Sequence, residues 1–455
     1  MLREVNFDGI IGPTHHFGGL GVGNVASQSN RARVSRPRDA ALEGLNKAWL
    51  IAQLGIPQVL LPPLMRPDRD FLSSLGYKGN LSSQLKEAYE TEPQILSAAM
   101  SASAMWTANA ATVSPTTDTA DGRLHITPAN LISSLHRAQE ARERTEMFRN
   151  LWHSSDDVVV HDPLPAVLQM RDEGAANHLR LCDSTGERGI EIFVSGDSES
   201  GEVHTQRFAI RQTWATGKAI RRLHKLDLQR SFQLQQSAQA IDAGVFHNDV
   251  ISTAHEHLWF MHEVAFTEDD TNYAEIERVF ENRTATRMKR IVIHSCELSL
   301  LAAVKTYLFN SQIVTLPKED PREPSRFHWI APQQCEANPD SRALLERWCR
   351  DSELSLEKIH YVSLQESMSN GGGPACLRLR IPLNRQQMSS LPPGLFLDAE
   401  QYHRVHDWIV KWYPEHLALS DLTDVMLVEH LQQAVLAYPY RSYFVRPARD
   451  EFHTI

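Results

Sequence analysis

A glycine-rich loop, Asn370-Gly371-Gly372-Gly373-Pro374-Ala375-Cys376, runs directly into the alternating stretch Leu377-Arg378-Leu379-Arg380-Ile381. Glycine allows positive φ and close approach of a substrate, and proline fixes a turn while removing a donor. A thiol on such a loop can sit at the lip of a cavity, where burial in a core would make it inert. Cys376 is therefore read as a candidate nucleophile whose partners must come from elsewhere in the chain.

Three other segments could supply them. Thr14-His15-His16-Phe17-Gly18-Gly19-Leu20-Gly21-Val22-Gly23-Asn24 has four glycines in six positions, enough exposed N–H groups to cradle an anion. No strand leads into it cleanly and no Walker lysine follows, so a dinucleotide site is not indicated, and by itself it is equally a tight turn. In Arg171-Asp172-Glu173-Gly174-Ala175-Ala176-Asn177-His178 an acidic pair precedes a run of tiny residues; exposed acids there usually serve a helix dipole. In Gly244-Val245-Phe246-His247-Asn248-Asp249-Val250 the histidine stands at a strand start beside a polar pair. A lone histidine in that position is more often a hydrogen-bonded core residue than a catalyst. His255, His257 and His262 do not fit a standard zinc motif, and no metal is expected. Together, a loop thiol, an imidazole beside an aspartate and a glutamate among small residues are the parts needed to attack an electron-poor carbon. Asp249 could hold a cationic group through bidentate hydrogen bonds, and Arg137 and Arg211 could hold an anionic tail.

The elements that must position these groups alternate between helix and strand. Apolar residues at Ala41, Leu42, Leu45, Ala48, Trp49 and Ala52 predict a helix from Pro37 to Leu54 stopped by Gly55. Strands are expected at Val59–Leu61, Val158–Val160, Ile190–Val194, Val250–Thr253, Leu258–Met261, Ile291–Ile293, Ile313–Leu316, Ile359–Val362 and after Cys376. Helices are expected from Thr127-Pro128 onward, with Leu131 and Leu135 inward, and over Thr213–His224, Leu298–Leu308 and Ser341–Arg350. Ser195–Val203 and Lys318–Pro324 read as polar, mobile stretches within one β/α alternation. A weak pattern, a small-residue turn ending in Asn or Cys, recurs at Thr107-Ala108-Asn109, Gly174–Asn177 and Gly373–Cys376.

The 455-residue chain is long enough for a large core, and about three domains would be the soft prior from length. A net charge of -10 argues against a nucleic-acid surface. Five cysteines lack a disulfide spacing, and Cys182, Cys296, Cys335 and Cys349 read as reduced thiols at least half buried. No signal peptide or membrane span is evident, which leaves a cytoplasmic protein as the expectation.

The order of several long segments resembles the N-succinylarginine dihydrolases, arginine-catabolic members of the guanidino-group-modifying (pentein) superfamily. The likeness rests on Val5-Asn6-Phe7-Asp8-Gly9, Thr14-His15-His16, Met105-Trp106-Thr107-Ala108-Asn109-Ala110-Ala111-Thr112, Asp172 through His178, Gly244 through Val250, Thr306-Tyr307-Leu308-Phe309-Asn310-Ser311-Gln312 and Asn370 through Arg380. Residues 267–290 and 318–325 and the tail after His416 depart from it, and Val25 stands where an acidic residue is expected. The resemblance implies an α/β fold, a five-bladed α/β propeller of pseudo-symmetric ββαβ modules around a central active site, with residues 1–455 as a single catalytic domain. It implies Cys376 as nucleophile, His247 as general acid/base and Glu173 as its orienting carboxylate. Implied substrate contacts are Gly18, Gly19, Leu20, Gly21, Val22, Gly23, Asn24, Val25, Ala26, Ser27, Asn109, His136, Arg137, Arg211, Asp249 and Asn370. No cofactor is implied; the partner is N2-succinyl-L-arginine, and a homodimer is expected. The implied reaction consumes two waters and yields N2-succinyl-L-ornithine, two ammonia and carbon dioxide. A deiminase that stops after one hydrolysis is the nearest alternative, and a noncatalytic binding protein is the alternative from another class.

Overall fold

Fifteen short strands pair in threes in the computed structural model, which describes residues 1–445 apart from 269, 321 and 322. They are β1 (Arg3–Gly9), β2 (Gln58–Leu61), β3 (Ala111–Ser114), β4 (Leu124–Pro128), β5 (Val158–Val160), β6 (His178–Cys182), β7 (Gly189–Ser195), β8 (Ser231–Gln235), β9 (Ser252–His255), β10 (Leu258–His262), β11 (Lys289–Ile293), β12 (Gln312–Thr315), β13 (Phe327–Pro332), β14 (Leu356–Val362) and β15 (Arg378–Leu383). Four sheets use consecutive strands, β3-β4-β5, β6-β7-β8, β9-β10-β11 and β12-β13-β14; the fifth joins β15 to β1 and β2. In every sheet the middle strand runs antiparallel to the first and parallel to the third.

A parallel pair needs a long crossover, and a helix supplies each one. The five crossovers carry Pro37–Gln53, Glu140–Leu151, Trp214–Leu223, Asp270–Thr284 and Pro339–Arg350. Pro37–Gln53 shows why the sequence folds this way. Proline occupies its first turn, where no N–H is needed, and Ala41, Leu45, Ala48 and Ile51 are buried against the sheet. Gly55, at φ 82°, then turns the chain into β2.

Each first strand is entered from a tight turn, and the five turns are hydrogen-bonded to one another in a closed cycle. Asn109 Nδ2 donates to the Glu173 carbonyl at 2.8 Å, and Asn177 Oδ1 accepts from the Asn248 N–H at 2.9 Å. Asn310 bridges two turns, donating from Nδ2 to the Asp249 carbonyl at 3.4 Å and accepting from the Cys376 N–H at 3.2 Å. The Ala108 N–H closes the cycle on the Cys376 carbonyl at 3.1 Å. The recurring small-residue turns of the sequence, at Asn109, Asn177 and Cys376, are three of these five.

Most predicted elements form close to the expected positions, and the departures have local causes. Thr127-Pro128 ends β4 and opens no helix: Thr127 pairs with Thr112, and Pro128 lies at the strand end, where its missing N–H is tolerated. Leu131 is buried as expected, but Leu135 is 54% exposed at the start of the short helix Leu135–Ala138. β9 begins at Ser252 because Asn248–Val250 is taken up by its turn. The helix expected to reach Leu308 stops at Thr306, since Tyr307 adopts φ 54°. Cys182 and Cys349 are partly buried and Cys335 is buried, but Cys296 is exposed. The stretch from Ser195 is irregular, with Asp197 accepting from the Trp214 N–H, and part of Lys318–Pro324 lies outside the described residues. The tail after His416 packs Leu417, Leu422, Val428 and Leu431 against Leu72, Leu85 and Leu96; its end, 446–455, lies outside the described residues. No described helix is long and apolar enough to cross a membrane.

Asn310 is fully buried and serves two turns at once. Asn310→Ala strands the Cys376 N–H, so urea denaturation should show a loss of about 2 kcal/mol.

Candidate active site

Cys376 is 3% exposed and lies in the wall of a cavity of about 40 Å³. The sequence suggests a thiol at the lip of a cavity; the thiol does line one, but is nearly fully buried there. The glycines before it serve close packing: an added Cβ at Gly371 would fall 1.9 Å from the Asn24 side chain, and at Gly372 2.0 Å from Trp106 Nε1. Cys376 Sγ points at Asp249 Oδ2, 3.7 Å away. Burial first, and the Asp249 charge second, push the thiol well above its ordinary pKa. Burial raises Asp249 to about 7, against hydrogen bonds from Asn310 and Cys376. At rest the sulfur is therefore protonated.

His247 and Glu173 come from two different turns of the cycle and meet at 2.9 Å, Nε2 to Oε2. Both are buried. A carboxylate only accepts, so Nε2 carries the hydrogen and Nδ1, which has no other partner, keeps its lone pair. Burial, offset in part by the Glu173 hydrogen bond, lowers the imidazole to about 4. Burial would raise Glu173, but the hydrogen bond and charge of His247 together with Arg211 and Arg137 bring it down to about 2. The pair is thus a neutral base backed by an anion, arranged to accept a proton transiently and give it up again. The acidic pair of the sequence is not an exposed helix partner: Asp172 is also buried, accepting from the Gly174 N–H and from Gln212.

The same cavity is lined by Gly18, Gly19, Leu20, Gly21, Asn24, Ser27, Asn109, His136, Arg137, Arg211, Asn370, His247 and Cys376. Of the other residues expected to touch substrate, Val22, Gly23, Val25 and Ala26 do not line it, and Asp249 reaches it only through its contact with the sulfur. Val25 begins the short helix Val25–Ser29, whose N-cap is Asn24. Asn24 also donates to the Asn370 carbonyl, while Asn370 Nδ2 donates to the His16 carbonyl, both at 3.0 Å. The glycine loop and the cysteine loop are thereby tied together.

The two arginines differ. Arg137 is buried, lies 3.3 Å from both carboxylate oxygens of Glu140 and donates to Asn109 Oδ1 at 2.8 Å. Arg211 has no carboxylate in contact among the described residues; it donates to the Val22 carbonyl and stacks 4.9 Å over the Phe246 ring. Trp106 lies under Arg137 at 5.6 Å in the same way. Sequence reasoning missed Glu140, Trp106, Phe246 and Asn310 as parts of the site. Glu140 follows Arg137 at i+3 on adjoining helical turns, a usable signal; the aromatic contacts carry none, because they join distant segments. Among the described residues, no group of three or more His, Cys, Asp or Glu side chains could hold a metal ion.

Comparison with known proteins agrees over nearly the whole chain. The succinylarginine dihydrolase family model matches residues 1–438. The N-succinylarginine dihydrolase of Legionella pneumophila (strain Paris) is 42% identical over 429 residues, 93% of this chain and 94% of the relative. That of Paraburkholderia xenovorans (strain LB400) is 41% identical over 433 residues, 95% of each. Among solved structures, the product-bound N-terminal domain of ArgZ, a cyanobacterial arginine dihydrolase, is 16% identical with a TM-score of 0.49, covering 83% of this chain and 97% of that one. A sulfur, two arginines and an imidazole backed by a carboxylate thus meet at one cavity in a chain that belongs to the succinylarginine dihydrolase family.

Proposed function

We propose that the protein hydrolyses N2-succinyl-L-arginine twice at one sulfur, with Cys376 as nucleophile, His247 as general acid/base and Glu173 as its orienting carboxylate. The observation that carries this is the buried Cys376–Asp249 contact beside an imidazole whose free Nδ1 has no other partner. A guanidinium seated against Asp249 adds positive charge next to a thiol that burial keeps protonated and a carboxyl that burial raises to about 7, and so favours loss of both protons, the carboxyl's to solvent. The sulfur's proton passes to neutral His247, and the imidazolium is held by Glu173. Thiolate attack on the guanidinium carbon forms the C–S bond. Departure of ammonia, protonated by His247, breaks a C–N bond and leaves an amidino-thioether. His247 then takes a proton from water as its oxygen bonds to carbon and the C–S bond breaks. The resulting ureido group undergoes the same two steps, giving a carbamate that loses carbon dioxide and frees N2-succinyl-L-ornithine.

Selectivity follows from the arginines. Glu140 already offsets the charge of Arg137, so Arg211 supplies the unbalanced positive charge for the succinyl carboxylate. Free arginine would leave it unpaired in a closed site. Gly18, Gly19, Leu20, Gly21, Asn24 and Ser27 present the loop to that end, with His136, Asn109 and Asn370 as neighbouring walls; Val22, Gly23, Val25 and Ala26 belong to the same loop and shape it from behind.

The reading extends to a five-bladed α/β propeller. Its support is the shared strand pattern of the five sheets and the closed hydrogen-bond cycle of their turns. Residues 1–455 would act as one catalytic domain, since β15 pairs with β1 across the length of the chain. A cytoplasmic homodimer is in keeping with the family.

Incubated with N2-succinyl-L-arginine, the protein should release two ammonia per N2-succinyl-L-ornithine; one ammonia and a ureido product would make it a deiminase. Cys376→Ser should abolish ammonia release. Arg211→Ala should raise KM at least tenfold while changing kcat less, and an unaltered KM would remove Arg211 from the substrate pocket. In the free enzyme Asp249 is charged only above about 7, so kcat/KM should climb as pH rises through that value, measured with initial rates at low substrate.

A further inference from the structure

A second, far larger cavity, about 790 Å³, shares no lining residue with the first. Cys376 lines the small cavity and Asp249 lines the large one, and their Sγ and Oδ2 atoms are 3.7 Å apart. The inner end of the large chamber is walled by Ala108, Ala175 and Ala375, from three of the five turns. Its outer end reaches exposed residues, among them Arg3 and Ser184. We propose that this rear chamber is the route by which water reaches the reacting carbon, and ammonia leaves it, while the ureido intermediate stays clamped in the front cavity.

The inference rests on the two-step hydrolysis above and on the size of the front cavity. Each turnover must admit two waters and discharge two ammonia molecules before the large product departs. During that time the bound intermediate would occupy the small front cavity, whose walls include Arg137, Arg211 and the glycine loop, and so block the front. At the rear the turn side chains are methyl groups, which leave room for molecules the size of water or ammonia. Asp249, the only residue among the proposed reacting groups to line the chamber, stands where the leaving amine would emerge.

Thr253 on β9 gives a way to plug the chamber without touching the front. It lines the chamber together with its neighbours Ser252 and Ala254, and none of the three lines the front cavity. Thr253→Trp should lower kcat about tenfold and leave KM and the Kd of N2-succinyl-L-ornithine within twofold. Because water is excluded, intact-protein mass spectra of acid-quenched reactions should show the covalent adduct on Cys376 several-fold more abundant than in wild type. Thr253→Ser should match wild type. Should Thr253→Trp not fold, Ser184→Trp at the exposed rim is expected to give the same pair of changes. Wild-type kcat with no added adduct in a folded, plugged variant would overturn the route. Wild-type protein that releases no ammonia would instead overturn the reaction on which the route depends, and the two results are distinct.

Discussion

Five turns that lie far apart in sequence are held together by asparagine side chains hydrogen-bonded to the main chain of the next turn. Three of them, Asn109, Asn177 and Asn310, are buried, and an amide is well suited to the task because it donates and accepts in fixed directions. Every group with a proposed role at the sulfur hangs from this cycle. Glu173 and His247 flank two of its turns, Asp249 lies within the second of those, and Cys376 lends it both its N–H and its carbonyl. The positions of these groups are thus set by side-chain amides bonded to the main chain of neighbouring turns, closed by one backbone pair.

Burial does the electrostatic work around that frame. An exposed thiolate and imidazolium would be ready without substrate and open to side reactions. Here burial keeps the sulfur protonated and the imidazole neutral and raises Asp249 to about 7, a balance that a cation would reverse in the proposed reaction. The two arginines differ in the same way: Arg137 is paired directly with Glu140, whereas Arg211 makes no ion pair among the described residues and interacts with Glu173 only through its charge.

Much of this was legible in the residues and some was not. Pro37–Gln53 announces itself by proline, apolar spacing and a terminal glycine, all local signals. Thr127-Pro128 has the same local signature and is a strand end, because its pairing partner Thr112 lies across a sheet that no window of sequence contains. Cys376, His247 and Glu173 could be named from segment resemblance, but the open lip expected for the sulfur was an inference from glycine alone. Those glycines instead make room for Asn24 and Trp106, which arrive from the other end of the chain. The roles of Asn310, Phe246 and Trp106 are likewise set by tertiary approach.

The pairing of β15 with β1 has a consequence for how the protein comes into being. A ribosome delivers β1 and β2 first, yet their sheet lacks its third strand until residue 383 has emerged, and four complete sheets are made in between. The edge of β1 must therefore wait, unpaired, through most of synthesis, and the last of the five turns to arrive is the one bearing the sulfur. A nascent or truncated chain carries imidazole, carboxylates and arginines but not the sulfur of the proposed nucleophile, so the proposed site is complete only when the first strand and the last are joined.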